Sequence, residues 1–382
     1  GGYASESSDD SWMYRKRDKR DGEAWPDSMD ELEDAMHEQM TIILLQGEDF
    51  VTEVSSKIDE DSDFMAKVKE LTIWNFSVST LYRDDFAKIL RGCPLLTHLK
   101  FGINNMGSDG FDDDVCDSLA GLSNLEEVEF STVNIGNEGF DRLTTALAKL
   151  PKLKRVNFES IAADDSDWNL DDDEKSDLNG DGLAAGLKKF QNSNLKMLNL
   201  SFLSGENFNQ TALNVIAELI KPPLAQLNLS VYIYDNEIES DETKLDLTSL
   251  SNAIASCASL VSVDISQLIF NSKQAEIIGA SLANKPKLAI FKFGSYSNKA
   301  DSVLPILKGL SNCKALKEVE TGSFDADDVD DAKKEEFKNA VLAIKTDKLQ
   351  SDSSWMKENL SREERKNLND YYLTDSDDDS SY

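Results

Sequence analysis

Leu125-Glu126-Glu127-Val128-Glu129-Phe130 is followed 28 residues later by Leu153-Lys154-Arg155-Val156-Asn157-Phe158. Both stretches have apolar residues at positions one, four and six, and this alternation predicts a short β-strand. The pattern recurs at intervals of mostly 28 or 29 residues, which is typical of a repeat protein. Its nine units open at Val68, Leu96, Leu125, Leu153, Leu195, Leu224, Leu260, Leu288 and Leu316.

A helical pattern follows each strand, as in residues 139–150, where Phe140, Leu143 and Leu147 share one face. One strand and one helix cannot bury their apolar faces alone, so successive units must stack. The sequence therefore predicts an α/β solenoid with parallel strands on a concave face and helices on a convex face. We expect about nine repeats plus caps, and Thr321 in the last position of the ninth unit predicts that this unit is terminal.

The repeat resembles that of the ribonuclease-inhibitor-like class of leucine-rich-repeat proteins over roughly residues 40–345. The resemblance implies a horseshoe-shaped solenoid. The ninth position departs from that class, whose members usually have Asn or Cys there, and predicts an apolar spine instead. The ninth positions are Phe76, Asn104, Val133, Ile161, Leu203, Tyr232, Leu268, Tyr296 and Phe324.

Three parts of the chain differ in composition. Residues 1–39 and 349–382 are acidic and rich in serine, which predicts largely flexible tails flanking a solenoid of residues 40–348,. Short helices over 30–39 and 328–346 are expected to cap its ends. Exposed tryptophans are unfavourable, so we predict that the tails are anchored to a partner through Trp12, Trp25 and Trp355,.

Side chains between the buried positions of each strand should point to the concave face. This face is predicted to bind protein, with a solvated face that has no partner as the alternative. Its candidate residues are Trp74, Lys100, Glu129, Asn157, Asn199, Phe202, Asn228, Asp264 and Lys292.

Two long units carry acidic insertions, at about 163–178 and 235–246. Insertions at corresponding points of a repeat emerge on the same edge, which predicts an acidic rim that binds a basic partner; merely solvated loops are the alternative. The candidate rim residues are Asp171, Asp172, Asp173, Glu239, Asp241 and Glu242.

The formal net charge of −32 favours a protein partner with a basic surface and disfavours nucleic acid,. No apolar run is long enough to insert into a membrane. We expect a protein inside the cell, in the cytoplasm, with an organelle as the alternative if a targeting peptide has been removed. Cys93, Cys257 and Cys313 each precede a repeat-opening leucine by three residues, which predicts a shared packing position,.

Catalysis needs clustered groups, but the only histidines, His37 and His98, are far apart in the sequence. The sequence contains no phosphate-binding glycine loop, metal-ligand spacing or nucleophile elbow. We therefore predict a non-enzymatic interaction module, scaffold or structural subunit of a hetero-complex, with no cofactor or metal. The alternative is a GTPase activator resembling the Ran-directed family, for which Arg83 and Arg91 are candidates by location alone.

Overall fold

A computed structural model describes most of the repeat region, and strands and helices alternate throughout it. The described residues are 18–74, 82–104, 110–162, 176–201, 203–204, 207–232, 245–294, 298–322, 324–325, 329–350 and 358–367.

Twelve of the strands form one open sheet, in which every neighbouring pair is parallel. Successive strands follow chain order, so each helix crosses from one strand to the next. The strands are β1 (Glu23–Ala24), β2 (Ile42–Gln46), β3 (Glu70–Trp74), β4 (His98–Asn104), β5 (Glu127–Val133), β6 (Arg155–Glu159), β7 (Met197–Asn199), β9 (Gln226–Asn228), β11 (Ser262–Asp264), β12 (Ile290–Phe293), β14 (Glu318–Thr321) and β16 (Lys348–Gln350).

Four shorter strands pair outside this sheet, just beyond the ends of the main strands. They are β8 (Leu203–Ser204) with β10 (Val231–Tyr232), and β13 (Asn298–Lys299) with β15 (Phe324–Asp325). Parallel pairing between repeats therefore continues into the following turns, but the register shifts: Leu198 pairs with Leu227, whereas Leu203 pairs with Val231.

The helices pack against one another in chain order on the other side of the sheet. They are α1 (Met29–His37), α2 (Glu48–Glu60), α3 (Arg83–Gly92), α4 (Asp113–Ala120), α5 (Asn137–Ala148), α6 (Gly180–Lys188), α7 (Gln210–Leu219), α8 (Thr248–Ser256), α9 (Ser272–Ser281), α10 (Ala300–Leu310), α11 (Asp331–Ala343) and α12 (Arg362–Asn367).

Short polar side chains begin several of these helices. An N-cap oxygen accepts a hydrogen bond from a backbone N–H of the first turn, which satisfies a group with no partner inside the helix. The N-caps that do so are Ser28, Asp112, Asn179, Asn209, Asn271 and Asp330.

Phenylalanine rings fill the core between strands and helices in the N-terminal half. The sixth-position rings of Phe101, Phe130 and Phe158 follow one another with centroids 6.1 and 6.4 Å apart. Phe111 lies 5.8 Å from Phe130, and Phe140 lies 5.3 Å from Phe158. All five side chains are fully buried. The core is therefore continuous from one repeat to the next, and the predicted solenoid is confirmed.

The ninth positions whose side chains are described are buried, as an apolar spine requires. Ile161, Leu203 and Leu268 are each at most 1% exposed. The remaining ninth positions lie outside the residues whose side chains are described. At these three positions, therefore, apolar packing stands where an amide ladder would require Asn or Cys.

The position three residues before each repeat-opening residue also has a structural role. Cys93, Cys257 and Cys313 are buried there and form no disulfide. In the eighth unit the position holds Lys285, only 2% exposed, whose Nζ donates to the carbonyl oxygens of Ile254, Ala255 and Cys257 at 2.6–3.2 Å. A buried lysine thus caps the end of α8. The shared packing position predicted for the cysteines is confirmed.

The sheet extends beyond both ends of the 40–348 solenoid expected from the sequence. β1 pairs with β2, and β16 pairs with β14. The prediction that the ninth unit is terminal is wrong: Thr321 is 4% exposed in β14, which has a neighbouring strand on each side. The expected cap helices are present as α1 and α11, but strands flank both. Strands β1 and β16 could not be recognised because the repeat pattern lacks its apolar residues there: positions one and six are Asp21 and Pro26 around β1, and Thr346 and Ser351 around β16.

We expect Phe130→Ala to lower the free energy of unfolding by about 3–5 kcal/mol, because it opens a cavity between three other rings. Urea denaturation followed by circular dichroism measures this change. Phe130→Leu should cost clearly less. A loss below about 1 kcal/mol for the alanine variant would contradict the continuous core.

Candidate functional site

The concave face consists of three rows of strand positions that run across the sheet in register. The first row is Ile42, Glu70, His98, Glu127, Arg155, Met197, Gln226, Ser262, Ile290, Glu318 and Lys348. The middle row is Leu44, Thr72, Lys100, Glu129, Asn157, Asn199, Asn228, Asp264, Lys292, Glu320 and Gln350. The third row is Gln46, Trp74, Gly102, Ser131 and Glu159.

Seven of the predicted concave residues belong to the middle row and an eighth, Trp74, to the third. All eight are partly exposed, whereas the positions between them in the strands are buried. Phe202 lies outside the described residues. The structure thus places these eight residues on one continuous surface.

Acidic and basic side chains alternate along the N-terminal part of the first row. Glu70 lies 2.7 Å from the guanidinium of Arg20 and 3.9 Å from the His98 ring. The other ring nitrogen of His98 is 3.5 Å from Glu127, which in turn lies 4.0 Å from Arg155. Adjacent strands are about 4.8 Å apart, which lets neighbouring side chains of a row interact. His98 is therefore part of a charged ladder on the concave face.

The middle row contains two further ion pairs. Lys100 binds Glu129 at 3.0 Å, and Lys292 lies between Glu318 at 3.3 Å and Glu320 at 3.6 Å. The predicted lysines therefore neutralise acidic neighbours, which leaves little net positive charge on this surface.

Trp74 lies across the backbone of the next strand. A Cβ atom built on Gly102 would fall 2.2 Å from Trp74 Cζ3. Only glycine leaves room for the indole ring at this point, and the ring in turn covers the glycine backbone. The apolar side chains of Ile42 and Leu44 on β2 are also partly exposed on this face. The N-terminal end of the concave face is thus more apolar than its middle.

Asparagine and aspartate of the middle row terminate their own strands. Asn199 Oδ1 accepts from the Ser201 N–H at 2.9 Å, and Asn228 Oδ1 accepts from the Ser230 N–H at 3.1 Å. Asp264 makes the same bond to Ser266. These Asx turns explain why β7, β9 and β11 have only three residues,. The shared spacing Asn/Asp-x-Ser is visible in the sequence, but sequence reasoning assigned these side chains to binding alone.

Two side chains of β6 differ from their neighbours. The buried Oδ1 atom of Asn157 has no hydrogen-bond partner. Burial raises the pKa of the Glu159 carboxyl above its ordinary value; the nearby Glu129 carboxylate raises it further, and Lys100 opposes the shift,. Ser160, the next residue, has a φ of 52°, which is uncommon for a residue other than glycine.

The remaining candidates lie elsewhere or outside the described residues. Trp25 directly follows β1, and Lys19 Nζ lies 5.2 Å from its ring centroid. Trp25 is therefore part of the N-terminal repeat. Trp12, Trp355 and all six acidic rim residues (Asp171, Asp172, Asp173, Glu239, Asp241 and Glu242) lie outside the described residues.

Both arginines considered for GTPase activation belong to ion pairs between helices. Arg83 lies 3.2 Å from Asp112, and Arg91 lies 2.9 Å from Asp114. Both therefore sit on the helical side rather than on the concave face.

Reactive chemistry is not evident in the described ranges. Burial raises the pKa of the Cys93 and Cys116 thiols to about 12, so both are protonated at neutral pH. Among the described residues, no three His, Cys, Asp or Glu side chains are arranged to hold a metal ion. None of the helices in these ranges has both the length and the apolar character needed to cross a bilayer.

Comparisons with known proteins find no matching family model and no matching curated protein. Similar solved structures include the following three. TLR13, in its complex with ssRNA13, is 21% identical with a TM-score of 0.35, over 75% of this chain and 36% of that chain. Human 5T4 (Wnt-activated inhibitory factor 1, trophoblast glycoprotein) is 12% identical with a TM-score of 0.37, over 67% of this chain and 80% of that chain.

A Bacteroides fragilis protein is 13% identical with a TM-score of 0.34, over 82% of this chain and 66% of that chain. The present chain thus spans about a third of the TLR13 chain. Each TM-score is below 0.5, so the fold assignment rests on the geometry of the chain itself. That geometry is an open parallel sheet with one helix per repeat, and it defines a leucine-rich-repeat solenoid,.

We expect Asn228→Ala to lower the free energy of unfolding by about 1 kcal/mol, because the Ser230 N–H loses its acceptor. Asn228→Asp should retain most of the stability, since Asp264 makes the same turn in the next repeat. Urea denaturation measures both. The control is Gln226→Ala, an exposed position of the same strand. An equal effect of the two alanine substitutions would argue against the Asx turn.

Gly102→Ala should displace the Trp74 ring and destabilise the protein by about 1–3 kcal/mol, because the new methyl group overlaps the indole. The readout is the ¹⁹F resonance of Trp74 in protein labelled with 5-fluorotryptophan, assigned through Trp74→Phe. Gly121→Ala is the control, because its nearest contact would be an ordinary 3.5 Å. An unmoved Trp74 resonance in the Gly102 variant would refute the predicted overlap.

Proposed function

We propose that the protein is a non-enzymatic interaction module that binds another protein through its concave face and acts as a scaffold or structural subunit of a hetero-complex. The observation that carries the proposal is the concave face itself: two rows of positions in register over eleven strands of the main sheet, from β2 to β16, and a third row over β2 to β6, with most of the described side chains at least partly exposed. A curved surface of this kind is what repeat proteins offer to partners.

Hydrogen-bonded side chains in the middle of the concave face support this role. Asn199, Asn228 and Asp264 are fixed by hydrogen bonds to their own turns. Side chains that are already ordered lose less conformational entropy on binding. The central part of the face is therefore suited to recognising a partner of defined shape.

The partner that we propose is a protein with a basic surface, because the chain has a formal net charge of −32,. We further propose that the acidic rim and the tail tryptophans add contacts, and that the repeats belong to the ribonuclease-inhibitor-like class. Four cysteines without a disulfide are in keeping with a reducing, intracellular compartment,.

Site-specific photo-crosslinking in cells tests the location of binding. A benzophenone side chain placed at Gln226 or Ser262 on the concave face should crosslink to one recurring protein. Placed at Glu218 or Glu276, exposed positions on the helices that precede β9 and follow β11, it should not. Crosslinks to that protein from the helix positions alone would reject the concave face as the binding surface.

The captured protein then provides a quantitative test. Ser262→Arg should weaken its binding to the purified chain by about tenfold or more, because a bulky group would stand at the contact surface. The matched variant Glu276→Arg should leave the Kd unchanged. Equal effects of the two substitutions would count against the proposal.

A further inference from the structure

Glu159 is an exception among the acidic residues of the N-terminal concave strands. Glu70 is paired with Arg20, Glu127 with Arg155 and Glu129 with Lys100. Within the described ranges, by contrast, the Glu159 carboxylate neither lies within ion-pair distance of a cation nor accepts a hydrogen bond. One negative charge of the concave face is thus left without a partner.

The neighbouring donors are already used by another acid. Ser131 is the register neighbour of Glu159 on β5, but its hydroxyl donates to Glu129 at 2.8 Å. Lys100 Nζ also binds Glu129, at 3.0 Å. Both donors therefore bind Glu129 Oε1, and among the described residues Glu159 has no such donor.

Asn157 adds a second acceptor without a partner. It lies two residues before Glu159, so both side chains emerge on the same face of β6. Its Oδ1 atom is covered and makes no hydrogen bond, unlike the corresponding oxygens of Asn199 and Asn228. No bond of this oxygen holds the amide in place, so the side chain can turn toward an incoming donor.

A half-buried carboxylate without a partner is unfavourable, and an incoming cation would remove that cost. The raised pKa of Glu159 has the same physical origin, since burial and Glu129 both disfavour its charged form. A planar guanidinium has several donors that can reach two acceptors at once, whereas an ammonium is a point charge. The unpaired carboxylate and amide oxygen therefore fit an arginine side chain better than a lysine.

We propose that Glu159 and Asn157 form the anchor point of the concave face and receive an arginine side chain of the protein partner. This inference rests on the proposed function, because it names the chemistry that the concave face would recognise. Charge complementarity supports this occupant: the ion pairs of the N-terminal strands leave one carboxylate in excess, at the centre of the face.

The test uses N-acetyl-arginine amide as the probe and N-acetyl-citrulline amide, its uncharged analogue, as the control ligand. NMR titration of the full chain follows the Asn157 side-chain NH₂ and Glu159 carboxyl signals. We expect the arginine probe to shift both signals and to bind about tenfold more tightly than the citrulline probe, as for a charge-assisted hydrogen bond. Equal shifts with both probes, or none, would overturn the inference.

Glu159→Gln should abolish the preference for arginine over citrulline. It should not destabilise the protein, because the carboxylate has no partner to lose. The matched variant Glu320→Gln removes a carboxylate of the same face that is paired with Lys292, and it should keep the preference. Retention of the preference in Glu159→Gln would reject Glu159 as the anchor.

The chain's own basic segment, Arg15-Lys16-Arg17, is the competing occupant. Replacing all three residues by glutamine in the full chain should leave the Asn157 and Glu159 signals and the probe affinity unchanged. If the signals move and the probe binds more tightly, the site is occupied intramolecularly and the inference about a partner is wrong.

Failure of the arginine anchor can be distinguished from failure of the proposed function. If concave crosslinks form but the arginine probe does not bind at Glu159, only the anchor is lost. If the probe binds as expected but the crosslinks come from the helix positions, the anchor exists while the proposed binding surface fails.

Discussion

The backbone hydrogen bonds between neighbouring parallel strands are the constraint on which the rest of the structure depends. They fix each repeat against the next in one register, from β1 to β16. Because side chains alternate along a strand, a shift of one residue would turn the buried row outward. The same register that stacks Phe101, Phe130 and Phe158 in the core therefore also aligns the charged and amide side chains on the concave face.

The concave face is consequently not uniform. Its N-terminal end has Trp74 over Gly102 and partly exposed aliphatic side chains, and a ladder of alternating charges follows. The middle contains the Asx turns, and the ion pairs of Lys292 lie on the C-terminal side of them. Glu159 lies between the ladder of acidic and basic side chains and the asparagines of the Asx turns. On the first side, the hydrogen-bond donors already bind Glu129. On the second side, the described residues offer no donor.

Much of the fold could be predicted because the apolar alternation of a strand and its return every 28 or 29 residues are local, repeated signals. The terminal strands could not, since the positions around them that are apolar in other repeats are Asp21 and Pro26 at one end and Thr346 and Ser351 at the other,. The roles of some individual side chains could not be predicted either. Asn199 and Asn228 terminate their strands, and Lys285 caps a helix from a position that holds cysteine in other repeats. Such roles depend on which atoms of neighbouring repeats come within hydrogen-bond distance. The pairing of Glu129 with Lys100, which leaves Glu159 alone, depends on that geometry too.

The in-register stacking of repeats is tested most directly by nuclear Overhauser contacts between backbone amide and α protons of neighbouring strands. The structure predicts contacts that link Val128 with Val156 and Leu198 with Leu227, each pair one repeat apart and directly opposite in register. Contacts displaced by a single residue, or the absence of contacts between successive repeats, would contradict the common origin of the core and the concave face.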